Sequence, residues 1–179
     1  SALYSQVIIT STASPYTQNF NTLITTGTSA TLPTGWKLLE TGTNANTTLA
    51  ADAGATATGN TYSYGTGTGT DRAFGTLLSG SLNSTTGVQI RNSTGSTITS
   101  ITITYTGEEW RCGATGRADR LDFQYSLNAT SLSTGTWVDN NTLDFSSPST
   151  TATGAKDGNA AANRSLKTAT ITGLSIANN

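Results

Sequence analysis

The sequence contains no histidine and no methionine, and Cys112 is its single cysteine. Without histidine there is no Ser–His or Cys–His nucleophile pair, and one cysteine among scattered carboxylates cannot form a conventional zinc site. One cysteine also excludes an intrachain disulfide, so we expect Cys112 to be a small buried residue. The most common hydrolase and zinc-enzyme chemistries are therefore excluded.

Charged residues are also few, with nine basic against ten acidic side chains and a net charge of −1. They form no block of one sign that would attract phosphates or anionic lipid headgroups. No apolar run approaches the roughly 18 residues that a membrane helix needs. The sequence therefore predicts neither a nucleic-acid partner nor insertion into a membrane.

Threonine and serine together make up about a third of the chain, and apolar residues only 34%. The apolar residues are concentrated in short runs that alternate with threonine, whose β-branched side chain suits a pleated, half-solvated surface. No segment of about ten residues shows a helical apolar period with caps. The composition therefore predicts an all-β fold with no substantial helix.

Alternation is clearest over residues 97–106, and it recurs over residues 121–127 and 166–176. The period of two places these residues on inward faces: Ile101, Ile103, Tyr105, Leu121, Phe123, Tyr125, Ala169, Ile171 and Leu174. Weaker strand candidates cover residues 6–12, 17–23, 35–41, 61–64, 72–78, 87–91, 136–139 and 142–145. About eleven short strands favour a two-sheet sandwich, with a long surface loop over much of the Gly-rich stretch 41–69.

A chain of 179 residues suits one all-β core. We expect a single domain over residues 13–179, preceded by an N-terminal segment, residues 1–12, with an apolar strand at Val7, Ile8 and Ile9. Residues 1–6 have the character of either the tail of an export signal or the remnant of a tag.

Seven ordered motifs carry a resemblance to a known family. They are QNFNTL (18–23), LPTGW (32–36), DRAFG (71–75), YTGEEWR (105–111), DRLDFQYS (119–126), DGNAAANR (157–164) and ITGL (171–174). In this order they resemble the secreted jelly-roll domains that recur in large cell-surface and exported bacterial proteins. The resemblance covers residues 16–179 and implies a two-sheet antiparallel jelly-roll sandwich outside the cell or on its surface, with no assigned activity of its own.

Domains of this kind continue through further strands after the last motif, whereas this chain ends at Asn179. The resemblance therefore implies an open sheet edge, which either reflects a fragment or is filled by another chain or segment. We hypothesise that residues 6–11, with Val7, Ile8 and Ile9, pair with a neighbouring identical subunit, so that strand donation builds a fibre. The alternative is that this segment pairs within its own sandwich.

Exposed aromatic rings are the usual platform for binding sugars, and Trp110, Trp137, Tyr62 and Tyr64 are the candidates here. Because aromatic residues form only 7% of the chain, the core needs most of them, and each ring has a core role as its alternative.

Calcium needs only oxygen ligands, and two Asx-rich stretches could supply several. The candidate ligands are Asp139, Asn141 and Asp144 in the first stretch, and Asp157 and Asn159 in the second. Neither stretch matches a complete calcium loop, and both suit ordinary Asx turns. Glu108 and Glu109 are adjacent on a strand and point to opposite faces, which makes them a poor acid–base pair. The charged residues from Glu108 to Asp122 form either an ion-pair network or a polar ligand site.

These observations predict a non-catalytic extracellular structural or adhesive module with no cofactor, and calcium is the one ion for which the sequence offers candidate ligands. Its expected partners are identical subunits, through strand exchange, and surface glycans. A carbohydrate-binding domain of an exported enzyme or adhesin is the alternative. An enzyme that relies on carboxylates alone is a third interpretation.

Overall fold

The computed structural model describes residues 5–179, so the prediction for residues 1–6 falls largely outside it. Across the described range the chain forms sixteen short strands and two single turns of 3₁₀ helix. No helix in this range is long and apolar enough to cross a lipid bilayer. The prediction of an all-β fold without substantial helix is confirmed.

The strands are β1 Val7–Ile9, β2 Thr28–Ser29, β3 Trp36–Thr41, β4 Leu49–Asp52, β5 Asn60–Tyr64, β6 Ala73–Leu77, β7 Asn83–Val88, β8 Ile90–Asn92, β9 Ile101–Glu108, β10 Arg111–Cys112, β11 Arg120–Leu121, β12 Gln124–Tyr125, β13 Val138–Asp139, β14 Phe145–Ser146, β15 Gly154–Ala155 and β16 Arg164–Ile171. The 3₁₀ turns are Asn141–Leu143 and Ala161–Asn163. Seven of these strands have only two residues, which is too short to leave an alternation in the sequence. The strands of the described range therefore outnumber the predicted eleven.

Hydrogen bonds join the strands into one four-stranded ladder, β2-β4-β5-β6, and six two-stranded ladders. The two-stranded ladders are β1–β8, β3–β7, β9–β16, β10–β15, β11–β14 and β12–β13. Most pairs are antiparallel, but β1–β8 and β4–β5 are parallel. A purely antiparallel arrangement is therefore wrong for these two pairs, and the two-sheet jelly-roll grouping stays a prediction.

The β9–β16 ribbon is the longest ladder, with Ile101 opposite Ile171 and Glu108 opposite Arg164. Its inward face contributes to a core cluster made of Ile101, Ile103, Tyr105, Phe123, Tyr125, Leu143, Ala169, Ile171, Leu174 and Ile176. On the opposite face the threonines are exposed, and the Thr104 hydroxyl lies 2.8 Å from that of Thr168. The predicted facing of this ribbon is confirmed.

The strand predicted over residues 121–127 is interrupted. Between β11 and β12 the Phe123 N–H donates to the Asp144 carboxylate at 2.8 Å instead of continuing the backbone ladder. The opposite chain segment carries the 3₁₀ turn Asn141–Leu143 at the same place. Because the ladder is broken here, the alternation does not continue across it. Tyr125 packs in the core, whereas Leu121 is 46% exposed, so its predicted inward position is wrong.

Residues 17–23 form no strand, contrary to the prediction. Phe20 has a φ of 60°, a left-handed conformation that a ladder does not accept. Its N–H donates to the Gln18 side-chain oxygen at 2.8 Å, and its carbonyl accepts the Leu23 N–H at 2.9 Å. Such local bonds compete with strand pairing, and this accounts for the irregular segment.

The stretch 41–69 is not a continuous loop, because it contains β4 and β5, and Leu49 is fully buried. Residues 53–59 join these two parallel strands, although parallel strands usually need a connection of a dozen or more residues. This short connection packs against the residues that follow β9. A Cβ at Gly54 would lie 1.7 Å from the Trp110 carbonyl oxygen, and the Arg111 guanidinium donates to the Gly54 carbonyl at 2.9 Å.

The apolar N-terminal strand pairs within its own chain, with β1 alongside β8. Val7 is buried and Ile8 is 51% exposed. Gly35, at a φ of 82°, lies against Val7, and a Cβ there would be 2.7 Å from the Val7 nitrogen. The structure therefore places this segment as in the intrachain alternative, and donation to a neighbour stays a prediction.

Replacing Ile103 with alanine is expected to lower the free energy of unfolding by about 2–4 kcal/mol, because the side chain packs in the core cluster. Thr104→Ala on the exposed face should lower it by less than about 1 kcal/mol. Urea titration of both variants measures the difference. Equal losses would mean that the assigned facing of β9 is incorrect.

Candidate functional site

Three of the four predicted sugar-binding rings form a buried aromatic stack, Tyr62, Tyr64 and Trp110, each no more than 4% exposed. The Tyr64 ring lies parallel to the Trp110 indole with centroids 6.0 Å apart, and 5.1 Å from the Tyr62 ring. Burial raises the pKa of the Tyr64 hydroxyl well above its usual range, so this hydroxyl stays neutral. These rings cannot receive a sugar and belong to the core, which corrects their assignment as ligand residues.

The surroundings of Trp110 explain its burial. Its indole N–H donates to the Glu108 carboxylate at 3.0 Å, and the Lys156 N–H donates to its carbonyl at 2.8 Å. Gly158 closes the ring from one side, since a Cβ there would approach the indole to 2.4 Å. Partial burial raises the pKa of the Glu108 carboxyl, and the bond from Trp110 partly opposes this.

Trp137, the fourth predicted ring, lies at the surface and is 36% exposed. Its indole N–H donates to the Thr134 carbonyl at 2.9 Å, within the loop that precedes β13. It makes no close ring contact among the described residues. The four predicted rings therefore do not converge on one binding surface.

A second group of rings lies at the surface, and we call Tyr16, Phe20, Trp36 and Phe74 the surface aromatic cluster. The Phe20 ring meets the Trp36 ring edge-on at 4.6 Å, and the Phe74 ring lies 6.0 Å from Trp36. The Trp36 indole N–H donates to the Tyr16 hydroxyl at 3.0 Å, and Tyr16 is 37% exposed. None of these rings was among the candidate ligand residues predicted from the sequence.

The local sequence explains how Trp36 is positioned. The Trp36 N–H donates to the Pro33 carbonyl at 3.0 Å, which closes a turn, and Gly35 takes the positive φ that a type II turn requires at its third residue. Trp36 then begins β3, where it pairs with Val88 of β7. The ring is therefore attached to a paired strand rather than to a free loop.

Phe20 is held in its left-handed conformation by its neighbours, and it is the one non-glycine residue of the described range with a positive φ. Besides the bonds to Gln18 and Leu23, the Asn21 side chain accepts the Arg72 backbone N–H at 3.1 Å. A bulky residue in this conformation costs about 1–3 kcal/mol, and such strain is concentrated at clamps and binding sites. Here it holds a ring against Trp36.

An open groove of about 360 Å³ runs beside Trp36. Apolar side chains and hydroxyl groups both line it, together with one cation, Lys37. The lining includes Leu32, Pro33, Thr34, Trp36, Leu38 and Thr47. Its volume is at the lower end of the range of small-molecule sites.

The predicted calcium ligands Asp139 and Asp144 are brought together with Asp122, and we call these three residues the acidic bulge. One carboxylate oxygen from each lies within 4.8 Å of the others. Arg120 already pairs with two of them, at 2.6 Å to Asp122 and 2.9 Å to Asp144. This guanidinium supplies positive charge where a metal ion would otherwise do so. Asp122 was predicted as part of the charged cluster from Glu108 to Asp122 but not as a calcium ligand, because it is distant in sequence from the Asx-rich stretch.

The other predicted calcium ligands lie elsewhere. Asn141 begins the 3₁₀ turn beside the acidic bulge, where its carbonyl accepts the Asp144 N–H at 3.3 Å. The Asp157 carboxylate accepts the Asn159 N–H at 3.0 Å. This bond forms an ordinary Asx turn, which was the alternative to a calcium site at this stretch. Asp157 and Asn159 are not part of the acidic bulge.

Two buried charged side chains, Glu40 and Arg72, are bonded to the framework. The Glu40 carboxylate accepts the backbone N–H groups of Asn46 and Thr61, each at 2.8 Å. The Arg72 guanidinium donates to the Ser63 hydroxyl at 2.9 Å and to the Ser63 carbonyl. Burial lowers the pKa of Arg72. These charges tie β3, β5 and β6 to the neighbouring loops.

No model of a known protein family matches the sequence, and neither a curated protein nor a solved structure was found to be similar to the chain. The resemblance to secreted jelly-roll domains therefore stays a prediction.

Replacing Glu108 with glutamine should raise the thermal midpoint at pH 7. Burial raises the folded-state pKa of this carboxyl, so the stability it contributes is greatest at low pH and is lost as the pH rises through that pKa. Glutamine avoids the buried charge and keeps an acceptor for the Trp110 indole. Below about pH 4 the two proteins should melt alike. A glutamine variant that is less stable at pH 7 than at pH 4, relative to wild type, would contradict this account.

Arg120→Ala should lower stability by about 1 kcal/mol and leave the acidic bulge without its cation. Calcium is then expected to raise the thermal midpoint of this variant more than that of the wild type, because the carboxylates are freed for an ion. Differential scanning fluorimetry with calcium or with a chelator measures the shift. Arg117→Ala, which removes an exposed pair with Asp119, is the matched control. Equal calcium shifts in wild type and Arg120→Ala would mean that Arg120 does not compete for the site.

Proposed function

We propose that this chain is a non-catalytic structural or adhesive module of an exported protein, a jelly-roll sandwich that acts outside the cell. The observation that carries the proposal is that three of its buried charged side chains, Glu40, Arg72 and Asp144, are bonded to the framework. Glu40 and Arg72 bind backbone and hydroxyl groups between strands, and Asp144 bonds the Phe123 N–H within the acidic bulge. Groups held in this way stabilise a scaffold, whereas catalytic groups converge on a cleft.

The motifs that resemble secreted jelly-roll domains also support the proposal, because they meet in space. Phe20, Trp36 and Phe74 come from three of these motifs and contact one another as rings. Gly158, from the DGNAAANR motif, lies against Trp110, from the YTGEEWR motif. If the chain shares the fold of those domains, residues of its motifs are expected to pack against one another. The proposed extracellular location rests on the same resemblance.

The fibre form of the proposal uses the β1–β8 pairing. Because β1 pairs along only three residues, the same parallel contact can form between neighbouring subunits instead of within one. Exchange of an identical element between subunits makes few new contacts and is a low-cost route to assembly. If each subunit donates β1 to the next, an open fibre results.

A carbohydrate-binding domain is the alternative, and the surface aromatic cluster favours it. Half-buried rings beside hydroxyl and amide groups are the chemistry that sugars need, since a sugar presents both a C–H face and a rim of hydroxyls. This alternative and the adhesive form of the main proposal share a requirement for a ligand at the surface.

Light scattering across a range of concentrations tests the fibre form. The full chain is expected to form concentration-dependent oligomers, and deletion of residues 1–12 should abolish them because the donated strand is gone. Ile8→Lys is the matched control, since Ile8 is exposed and the change should leave the pairing of Val7 intact. A full chain that stays monomeric at every concentration would rule out strand donation.

The same preparation tests the non-catalytic part. Chromogenic ester, phosphate and glycoside substrates are expected to remain unchanged. Turnover that disappears in Asp122→Asn, a change at an exposed carboxylate, would overturn it.

A further inference from the structure

Trp36, which lines the groove, is held in place by three features of the structure. Trp36 is attached to a paired strand, its indole N–H is occupied by the Tyr16 hydroxyl, and its ring is held edge-on by Phe20 in a strained backbone conformation. The ring is therefore fixed in place before any ligand arrives, and this lowers the entropic cost of binding.

The lining of the groove indicates the chemistry of its ligand. Leu32, Pro33 and Trp36 supply apolar surface, and the Thr34 and Thr47 hydroxyls lie at the same groove. Lys37 is the single charged side chain among the lining residues. A phosphate or another strong anion would require several cations or converging N–H groups. A neutral sugar requires only an apolar face and hydroxyl partners, which are both present.

We propose that this groove is a carbohydrate-binding site that takes a neutral hexose unit of a glycan. One face of the sugar ring packs on the apolar surface around Trp36, and its hydroxyls reach Thr34 and Thr47. The inference rests on the adhesive form of the proposed function, since it names the ligand of that adhesion. Tyr16 and Phe20 act as positioning residues, because they hold the indole and need not touch the sugar.

Phe20 links this site to the interior of the domain. The segment that carries Phe20 is bonded through Asn21 to the backbone of Arg72, and the Arg72 side chain is buried against Ser63 of β5. The strained ring position is therefore supported from the four-stranded ladder below. A site supported in this way keeps its geometry without a ligand.

The experiment uses the full chain and an array of plant, microbial and animal glycans, followed by calorimetric titration with the tightest neutral oligosaccharide. Thr47→Trp fills the groove from an exposed position and should weaken binding about tenfold or more while the protein stays folded. Trp36→Ala should abolish binding. Tyr16→Phe keeps a ring but removes the acceptor of the indole N–H, so a smaller loss of affinity is expected. Trp137→Ala, which removes an exposed indole elsewhere, is the matched control and should bind like wild type.

Three outcomes separate this inference from the proposed function. If the full chain binds no glycan at millimolar concentration, or if Trp137→Ala loses binding while Thr47→Trp keeps it, the site is wrong and the structural module still stands. If the bound oligosaccharide is cleaved, as measured by released reducing ends, the non-catalytic proposal is wrong and the site stands. Binding without cleavage that is lost in Thr47→Trp supports both.

Discussion

The flat stacking of Trp110 on Tyr64 is the contact on which the rest of the domain depends. Trp110 lies between distant chain segments: its indole N–H donates to Glu108, its ring lies against Gly158, and its backbone carbonyl lies against Gly54. There is no room for a Cβ at Gly54 or at Gly158. Gly54 follows β4 and Gly158 precedes β16, so Trp110 contacts segments next to both the four-stranded ladder and the β9–β16 ribbon, the first through its backbone and the second through its ring. A fold with short strands and few large apolar residues needs such a shared contact, since no single ladder buries enough surface alone.

The residue next to Trp110, Arg111, explains the parallel pair β4–β5, which has an unusually short connection. Residues 53–59 can turn back this tightly because their backbone is received by the chain after β9, where Arg111 donates to the Gly54 and Ala55 carbonyls at 2.9 and 3.0 Å. The Asp52 carboxylate closes the loop by bonding Thr56. Backbone groups that a tight connection leaves unpaired are thus satisfied by a side chain from another part of the fold, as buried backbone polar groups require.

These dependencies show which parts of the fold could be predicted from the sequence. The β9–β16 ribbon could be predicted, because its apolar and polar residues alternate strictly, as expected of paired strands that bury only one face. Leu121 could not, since its exposure results from the break opposite the 3₁₀ turn, where Asp144 replaces a ladder bond. Likewise the left-handed backbone of Phe20 depends on Gln18 and on a bond between Asn21 and Arg72 that spans fifty-one positions. Alternation of apolar and polar residues indicates strand pairing. At Leu121 and Phe20 the backbone conformation is instead determined by side chains that hydrogen-bond to nearby backbone groups.

The buried aromatic stack and the surface aromatic cluster show the same dependence on the fold. Both contain a tryptophan whose N–H is bonded and whose ring meets other rings, so residue type alone does not distinguish them. The difference lies in what covers each ring: Gly158 lies against the Trp110 indole, whereas Trp36 lines an open groove and is bonded to Tyr16, which is itself exposed. Glycines let the chain close over an aromatic ring, and bulky or polar neighbours keep it open. The sequence signal that separates a core ring from a binding ring is therefore the size of the residues that the fold brings to its faces, and that signal can be read only after the fold is known.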